Sequence, residues 1–205
     1  MTRVITTLLA LALLVPASPA TATTTATPTP IPDDFPLALR ISVDDSTGEQ
    51  PVPAPDAKAI GRIGACGERW WPLAPALVED RQAVRATGPE YLDARELVSM
   101  RRARVAVRAL ARIRTALTAC TEPVRGSVWT VHDADTGYDA VIFTQSWTRG
   151  LGLSTFQVIR VGKGVLITHT YGEGGLSESR VQIRRQTRLG RDLAIEMCVF
   201  ARAGC

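Results

Sequence analysis

The sequence has few of the residues on which catalysis and metal binding most often depend. It contains only two histidines, His132 and His169, and no G-x-S-x-G motif that would mark a serine nucleophile. It has no C-x-x-C pair, which argues against a zinc site formed by its four cysteines. Beyond the N-terminus it has no apolar run of roughly 20 residues, the length of a membrane span. We therefore expect no catalytic residue, no metal, no cofactor and no membrane span in the mature protein.

The N-terminus has the order of a secretory signal peptide. Arg3 supplies a positive charge, an apolar run extends from Val4 to Val15, and small residues follow that permit cleavage after Ala20 or Ala22. No cysteine lies near the cleavage region, so we expect no lipid anchor. The sequence predicts a signal peptide over residues 1–22 and a secreted, extracytoplasmic protein.

The stretch that follows the signal peptide is rich in threonine, proline and acidic residues. Chains of this composition bury little apolar surface and stay extended. The sequence therefore predicts a flexible leader over residues 23–56. The remaining residues, 57–205, have the ordinary size of one domain.

The four cysteines form an even set in a chain that we expect to be exported, the setting in which disulfides form and persist. Three pairings are open to four cysteines. Among them we favour Cys66 with Cys120 and Cys198 with Cys205, because the second pair would fasten the chain end to the element before it. The longer loop should contribute more to stability, on the order of 4 kcal/mol.

Hydrophobic periodicity predicts an α+β fold. Runs rich in valine, isoleucine, threonine and aromatic residues predict strands, and apolar residues at helical spacing predict two helices. The order of these elements favours an antiparallel β-sheet meander flanked by helices, with two disulfides. The predicted strands are 82–86, 92–100, 127–132, 139–148, 155–161 and 165–171, and the predicted helices are 101–120 and 176–200, with Gly190 as a candidate break in the second.

A two-residue turn at Gly162-Lys163 would set the register of the last hairpin. One face of that hairpin would then carry Gln157, Thr168 and Thr170 among apolar residues. Because neither face is cleanly polar, either both faces are covered, or one face lines a cleft in which these three side chains are the polar groups. We name Gln157, Thr168 and Thr170 as candidate ligand-binding residues, with core packing as the alternative.

The first predicted helix is amphipathic, and the basic residues of the chain are almost all arginine. Four arginines lie opposite the apolar stripe of this helix, and a second, weaker arginine stripe lies on the last helix. Guanidinium groups pair well with phosphate and carboxylate, so the first strip is a candidate site for anionic lipids or polymers, with a solvated face as the alternative. The first strip comprises Arg101, Arg104, Arg108 and Arg112, and the second comprises Arg180, Arg184, Arg188 and Arg191.

Three segments carry a family resemblance. They are residues 156–168 with the Gly172-Glu-Gly-Gly175 loop, the spacing of Cys198 and Cys205, and the opening Ile31-Pro-Asp-Asp-Phe-Pro-Leu37. Together they resemble the PknH-like extracellular domain family, which comprises sensor domains outside actinobacterial receptor serine/threonine kinases and their free-standing secreted relatives. The resemblance implies an antiparallel sheet flanked by helices, two intrachain disulfides and a cleft for an unidentified ligand. It supplies no catalytic residues.

Two functional hypotheses follow. The first is a secreted, non-enzymatic, sensor-like domain of the bacterial cell envelope that binds an unknown small molecule or envelope component. The alternative is an envelope interaction protein that binds anionic lipids or polymers through the arginine-rich helix face. Nucleic acid is not expected as a partner, because the chain is exported and its formal net charge is only +4.

Overall fold

One seven-stranded antiparallel sheet carries the other elements of the chain. The computed structural model describes residues 30–65, 68–71, 73–120, 126–133, 137–147, 152–172, 176–201 and 204–205. The predicted signal peptide therefore lies outside the described residues. The elements are β1 (Ala54–Pro55), β2 (Ile63–Ala65), β3 (Glu68–Trp71), β4 (Val78–Thr87), β5 (Tyr91–Met100), α1 (Ala103–Ala119), β6 (Ser127–His132), β7 (Asp139–Trp147), β8 (Leu153–Val161), β9 (Gly164–Gly172) and α2 (Leu176–Glu196), with 3-10 turns at Pro75–Leu77 and Met197–Phe200.

The strand order of the sheet is β1-β4-β5-β9-β8-β7-β6, and β2 and β3 form a separate hairpin. After β5 the chain crosses one face of the sheet as α1 and re-enters at the far edge as β6. Strands β6 to β9 then form a meander that returns to pair with β5. The antiparallel sheet flanked by helices that the sequence predicts is confirmed, and so is its α+β class.

Both faces of the sheet are buried, each by a different layer. Side chains such as Ala94 and Val158 pack in one cluster with α1 and the β2–β3 hairpin. Leu97, three residues after Ala94, and Ile159, one residue after Val158, pack in a second cluster with α2. Because neighbouring side chains of a strand point to opposite faces, strands covered on both sides show no clean alternation of apolar and polar residues.

The predicted register of the last hairpin is confirmed. Gln157 pairs with Thr168 and Thr155 with Thr170, so these residues share one face. The turn needs a glycine at position 162, where φ is 54° and a Cβ atom would overlap the carbonyl oxygen of Phe200. The main-chain N–H of Lys163 donates to that same oxygen at 3.2 Å.

The candidate break at Gly190 is wrong, because α2 runs unbroken from Leu176 to Glu196. The residue is glycine for a packing reason instead. A Cβ atom at position 190 would collide with the amide of Gln157 and with Ile159 of β8. The absence of a side chain therefore lets the middle of α2 approach the sheet closely.

The flexible leader predicted over residues 23–56 differs from the structure in its described part, which begins at Pro30. Ile31, Phe35 and Leu37 are buried in the α2-side cluster. These apolar residues are few in a stretch rich in proline and acidic residues. The average composition of the stretch therefore does not show that part of it packs in the core. The N–H of Ile31 also donates to Asp80 at 2.6 Å. Residues 31–41 are therefore part of the folded domain.

The Cys198–Cys205 disulfide is confirmed, and it joins the last 3-10 turn, Met197–Phe200, to Cys205. Cys120 is also disulfide-bonded, and none of the cysteines that the structure describes is free. Cys66 lies outside the described residues, so the Cys66–Cys120 pairing stays a prediction. Within the described ranges, no helix is both long enough and apolar enough to span a membrane.

The packing of residues 31–41 can be tested at Leu37, which is fully buried. We expect Leu37→Ala to lower the free energy of unfolding by about 2–5 kcal/mol, because it leaves a cavity in a packed core. Val52→Ala, at a side chain 77% exposed, is the control and should change it by less than about 0.5 kcal/mol. Urea denaturation measures both variants. Equal stability of Leu37→Ala and the parent protein would show that the segment is a flexible leader after all.

Candidate functional site

The three candidate ligand-binding residues lie on the sheet face that α2 covers. The hydroxyl of Thr168 donates to Gln186 Oε1 at 2.8 Å, and Gln186 Nε2 donates to Thr170 Oγ1 at 2.9 Å. Gln157 and Thr168 are fully buried. Only Thr170 lines a cavity. The structure therefore brings the three residues together beneath a helix and leaves one of them accessible to a ligand.

Gln157 has an unusual environment. Among the described residues, neither its Nε2 nor its Oε1 has a hydrogen-bond partner. Leaving a buried amide unsatisfied costs about 1–3 kcal/mol. Its neighbour across the layer is Gly190 of α2, so the side chain fills space between helix and sheet and does not face a cleft.

A cavity of about 460 Å³ opens between α2 and the β5–β9 part of the sheet. It is unusually rich in guanidinium groups, with five arginines and one carboxylate in its lining. The lining residues are Arg40, Asp93, Arg95, Thr170, Val181, Arg184, Arg185, Gln186, Arg188 and Leu189.

Arg95 forms the innermost charged group of this cavity and is fully buried. Its Nε and Nη2 donate to the two carboxylate oxygens of Asp93 at 3.2 and 3.1 Å. Its Nη1 donates to the main-chain oxygens of Leu37 and Leu39 at 2.9 and 2.6 Å. Arg95 thus holds residues 37–39 against the sheet, and each of its three nitrogen atoms donates at least one hydrogen bond.

Arg40 lies at the edge of the cavity in a strained conformation. Its φ of 58° is in the left-handed region, which costs a residue other than glycine roughly 1 kcal/mol or more. An ion pair with Asp192 of α2, 2.9 Å long, holds its side chain. Strain of this kind persists where the surrounding structure imposes it, and it is common at binding sites.

The remaining three arginines of the cavity, Arg184, Arg185 and Arg188, are exposed. No ion pair within the described ranges involves any of them. Arg184 and Arg188 are four residues apart on α2, the spacing at which like charges repel. The cavity therefore presents positive charge that no ion pair among the described residues neutralises.

Only two of the four arginines of the second stripe lie at this cavity. Arg184 and Arg188 line the cavity, whereas Arg180 and Arg191 do not. Sequence reasoning missed Arg185, Arg95 and Arg40. An available signal was the pair Asp93-x-Arg95, because residues two apart on a strand share a face and charges are rare in an otherwise apolar strand.

Both histidines bond to a hydroxyl group. His132 Nε2 lies 2.9 Å from Thr144 Oγ1, and His169 Nε2 lies 3.1 Å from Ser154 Oγ. No carboxylate of the described residues is hydrogen-bonded to either ring. Burial, with the nearby positive charge of Arg85, lowers the pKa of His169 to about 4.

The four arginines of the first strip are all exposed; Arg104, Arg108 and Arg112 lie on α1, and Arg101 precedes it. Arg112 pairs with Glu68 of β3 at 3.1 Å. Arg108 and Arg112 border a groove beside β3, whereas Arg101 and Arg104 do not. As in the second stripe, two of the four arginines of the first strip therefore lie at a cavity and two do not.

No family model matches the chain, and no curated protein matches it. Among solved structures, the chain is similar to the crystal structure of the extracellular domain of PknH from Mycobacterium tuberculosis. The two are 14% identical over 80% of this chain and 98% of that chain, with a TM-score of 0.49. A likeness this distant carries neither residue roles nor a ligand over to this protein.

The unsatisfied amide of Gln157 predicts an unusual mutational result. We expect Gln157→Met to raise the free energy of unfolding by about 1 kcal/mol, because an apolar side chain of similar size loses no hydrogen bond. Gln186→Met is the matched control in the same layer. It removes the bonds to Thr168 and Thr170 and should lower stability by about 1–3 kcal/mol. If chemical denaturation shows that Gln157→Met lowers the free energy of unfolding more than Gln186→Met does, the Gln157 amide must be hydrogen-bonded, which would contradict this prediction.

The depressed pKa of His169 predicts how stability varies with pH. Below pH 6.5 the unfolded chain binds a proton at His169 that the folded protein does not bind until about pH 4. The stabilisation is therefore complete above pH 6.5 and decreases by about 3 kcal/mol as the pH falls to 4. Urea denaturation across this range should show the decrease, and His169→Phe, which keeps a ring against Phe156, should remove most of it. An unchanged pH profile in that variant would contradict the assignment.

Proposed function

We propose that this protein is a secreted, non-enzymatic, sensor-like domain that binds a small anionic molecule in the cavity between α2 and the sheet. The observation that carries the proposal is the charge of this cavity. Five guanidinium groups line it against one carboxylate, and that carboxylate, Asp93, is occupied by Arg95.

The unneutralised arginines support an anion as the ligand. Arg184 and Arg188 repel each other across one helical turn, and a bound anion would replace this repulsion by attraction. Guanidinium groups also form paired hydrogen bonds with carboxylate and phosphate. Thr170 and Gln186 add neutral polar groups at the same wall, which would orient the ligand.

The volume of the cavity supports a small molecule. Sites for small ligands usually measure about 300–1,000 Å³, and this cavity of about 460 Å³ falls within that range. The buried Arg95–Asp93 pair gives it a rigid floor, because four hydrogen bonds hold the guanidinium in place. A floor that is already ordered reduces the entropy lost on binding.

Two observations support an extracytoplasmic location. The first residues have the charged, apolar and small-residue order of a signal peptide. The Cys198–Cys205 disulfide belongs to an oxidising compartment.

The non-enzymatic part of the proposal is supported by the state of the two histidines. A general base works best when its pKa is close to the working pH. The pKa of His169 is about 4, and burial lowers the pKa of His132 too. His169 is therefore a poor base for Ser154 at neutral pH.

The proposal is tested by calorimetric titration of the purified protein with inorganic phosphate, citrate and glycerol phosphate. We expect saturable binding of at least one of them, and a loss of about tenfold or more in affinity in Arg184→Gln with Arg188→Gln.

The matched control is Arg180→Gln with Arg191→Gln, which removes the same charge from the same helix outside the cavity. It should change the affinity by less than about twofold. An equal loss in both double variants would show that net charge alone attracts the anion. If none of the three anions binds, the proposed function fails for these ligand classes.

A further inference from the structure

A second surface, on the opposite side of the sheet, joins an apolar groove to a row of arginines. The groove has a volume of about 450 Å³ and runs between α1, β3 and the 3-10 turn Pro75–Leu77. Trp70, Leu73, Leu77 and Val105 form much of its apolar wall. Leu77 is 40% exposed, so the groove leaves apolar surface in contact with water.

Three arginines border this groove, and none of the described residues that line it is acidic. The three are Arg69 of β3 and Arg108 and Arg112 of α1. Arg112 forms an ion pair with Glu68 at 3.1 Å. Among the described residues, no ion pair involves Arg69 or Arg108.

Arg69 also belongs to a neighbouring cavity of about 470 Å³, where it meets Lys58, Arg62 and Arg85. The described residues that line that cavity include no acid either. Arg69 therefore lies between an apolar groove on one side and a recess with three further basic residues on the other. The surface as a whole has an apolar end and a positively charged end.

We propose that this surface binds a single anionic lipid, with an acyl chain in the groove and the headgroup phosphate between Arg69 and Arg108. The apolar end matches the acyl chain, because binding removes the apolar surfaces of both the groove and the acyl chain from water. The charged end matches the phosphate, because guanidinium forks bind phosphate oxygens in pairs. The recess beyond Arg69 gives further positive charge and room for the rest of a polar headgroup.

The proposal sharpens the predicted docking strip on α1. A strip that recognised a charged surface by charge alone would use Arg101, Arg104, Arg108 and Arg112 alike. Only the last two of these border the groove. This site also lies on the other side of the sheet from the cavity beneath α2, so either proposal can fail without the other.

The test uses the full secreted protein and a short-chain phosphatidylglycerol kept below its micelle concentration. Calorimetry should show saturable binding, and phosphatidylcholine with the same chains should bind at least about tenfold more weakly. Glycerol phosphate, which carries the anionic group without a chain, should not compete for this site.

Matched variants separate the groove from the general charge of the protein. Arg69→Gln with Arg108→Gln should weaken lipid binding by about tenfold or more. Arg101→Gln with Arg104→Gln removes the same charge outside the groove and should weaken it by less than about twofold. Ala74→Phe, at an exposed position of the groove wall, should block the chain while every charge remains.

Four results would each overturn the proposal. One is an absence of lipid binding by the parent protein. Another is an equal effect of the two double variants, which would indicate attraction by net charge. The third is unchanged lipid binding in Ala74→Phe. The fourth is binding of an acidic, leucine-rich peptide in place of the lipid, with the same dependence on Arg69 and Arg108.

Discussion

Burial of the sheet on both faces is the constraint from which the rest of this structure follows. A strand covered on two sides cannot send its polar side chains to water, so each needs a partner in the layer above it. On the α2 face, Thr168 and Thr170 find Gln186, and Arg95 finds Asp93 and the carbonyl groups of residues 37 and 39. These bonds fasten the helix and the N-terminal segment to the same part of the sheet, and the cavity forms where the two layers meet.

Several acidic residues pair with arginine within the described part of the fold. Burial raises the pKa of Glu96 although Arg81 lies 3.1 Å away and acts in the opposite direction. Arg160 and Arg114 lower the pKa of Asp139 against the effect of its burial. Other arginines, such as Arg69, Arg108 and Arg184, have no ion-pair partner among the described residues. A modest net charge of +4 is therefore distributed as two separate positively charged surfaces on opposite sides of the sheet.

The sequence predicts the strands and the register of the last hairpin well, because both depend on local features, the alternation of side chains and the glycine turn at Gly162. It predicts the candidate site only in part. Gln157 and Thr168 look like cleft residues in a strand, and nothing in the strand itself shows that α2 lies over them. Residues 31–41 look like a leader in the sequence, because their few apolar side chains are buried only by packing against the sheet and α2. Arg95 was missed for the same reason, since two of its four acceptor atoms are the main-chain oxygens of Leu37 and Leu39, which lie far from it in the sequence.

The turn at Lys163 connects parts of the molecule that are otherwise far apart. Its N–H donates to Phe200 in the segment after α2, and its carbonyl accepts the N–H of Met100 at 2.9 Å, three residues before α1 begins. Its ammonium group contacts Glu79 of β4. A shift of the C-terminal segment, whether caused by a ligand beneath α2 or by opening of its disulfide, would thus act on the first turn of α1 through two hydrogen bonds in series. The two helices lie on opposite faces of the sheet, and the chain segments next to both of them are hydrogen-bonded to the turn between the inner strands β8 and β9.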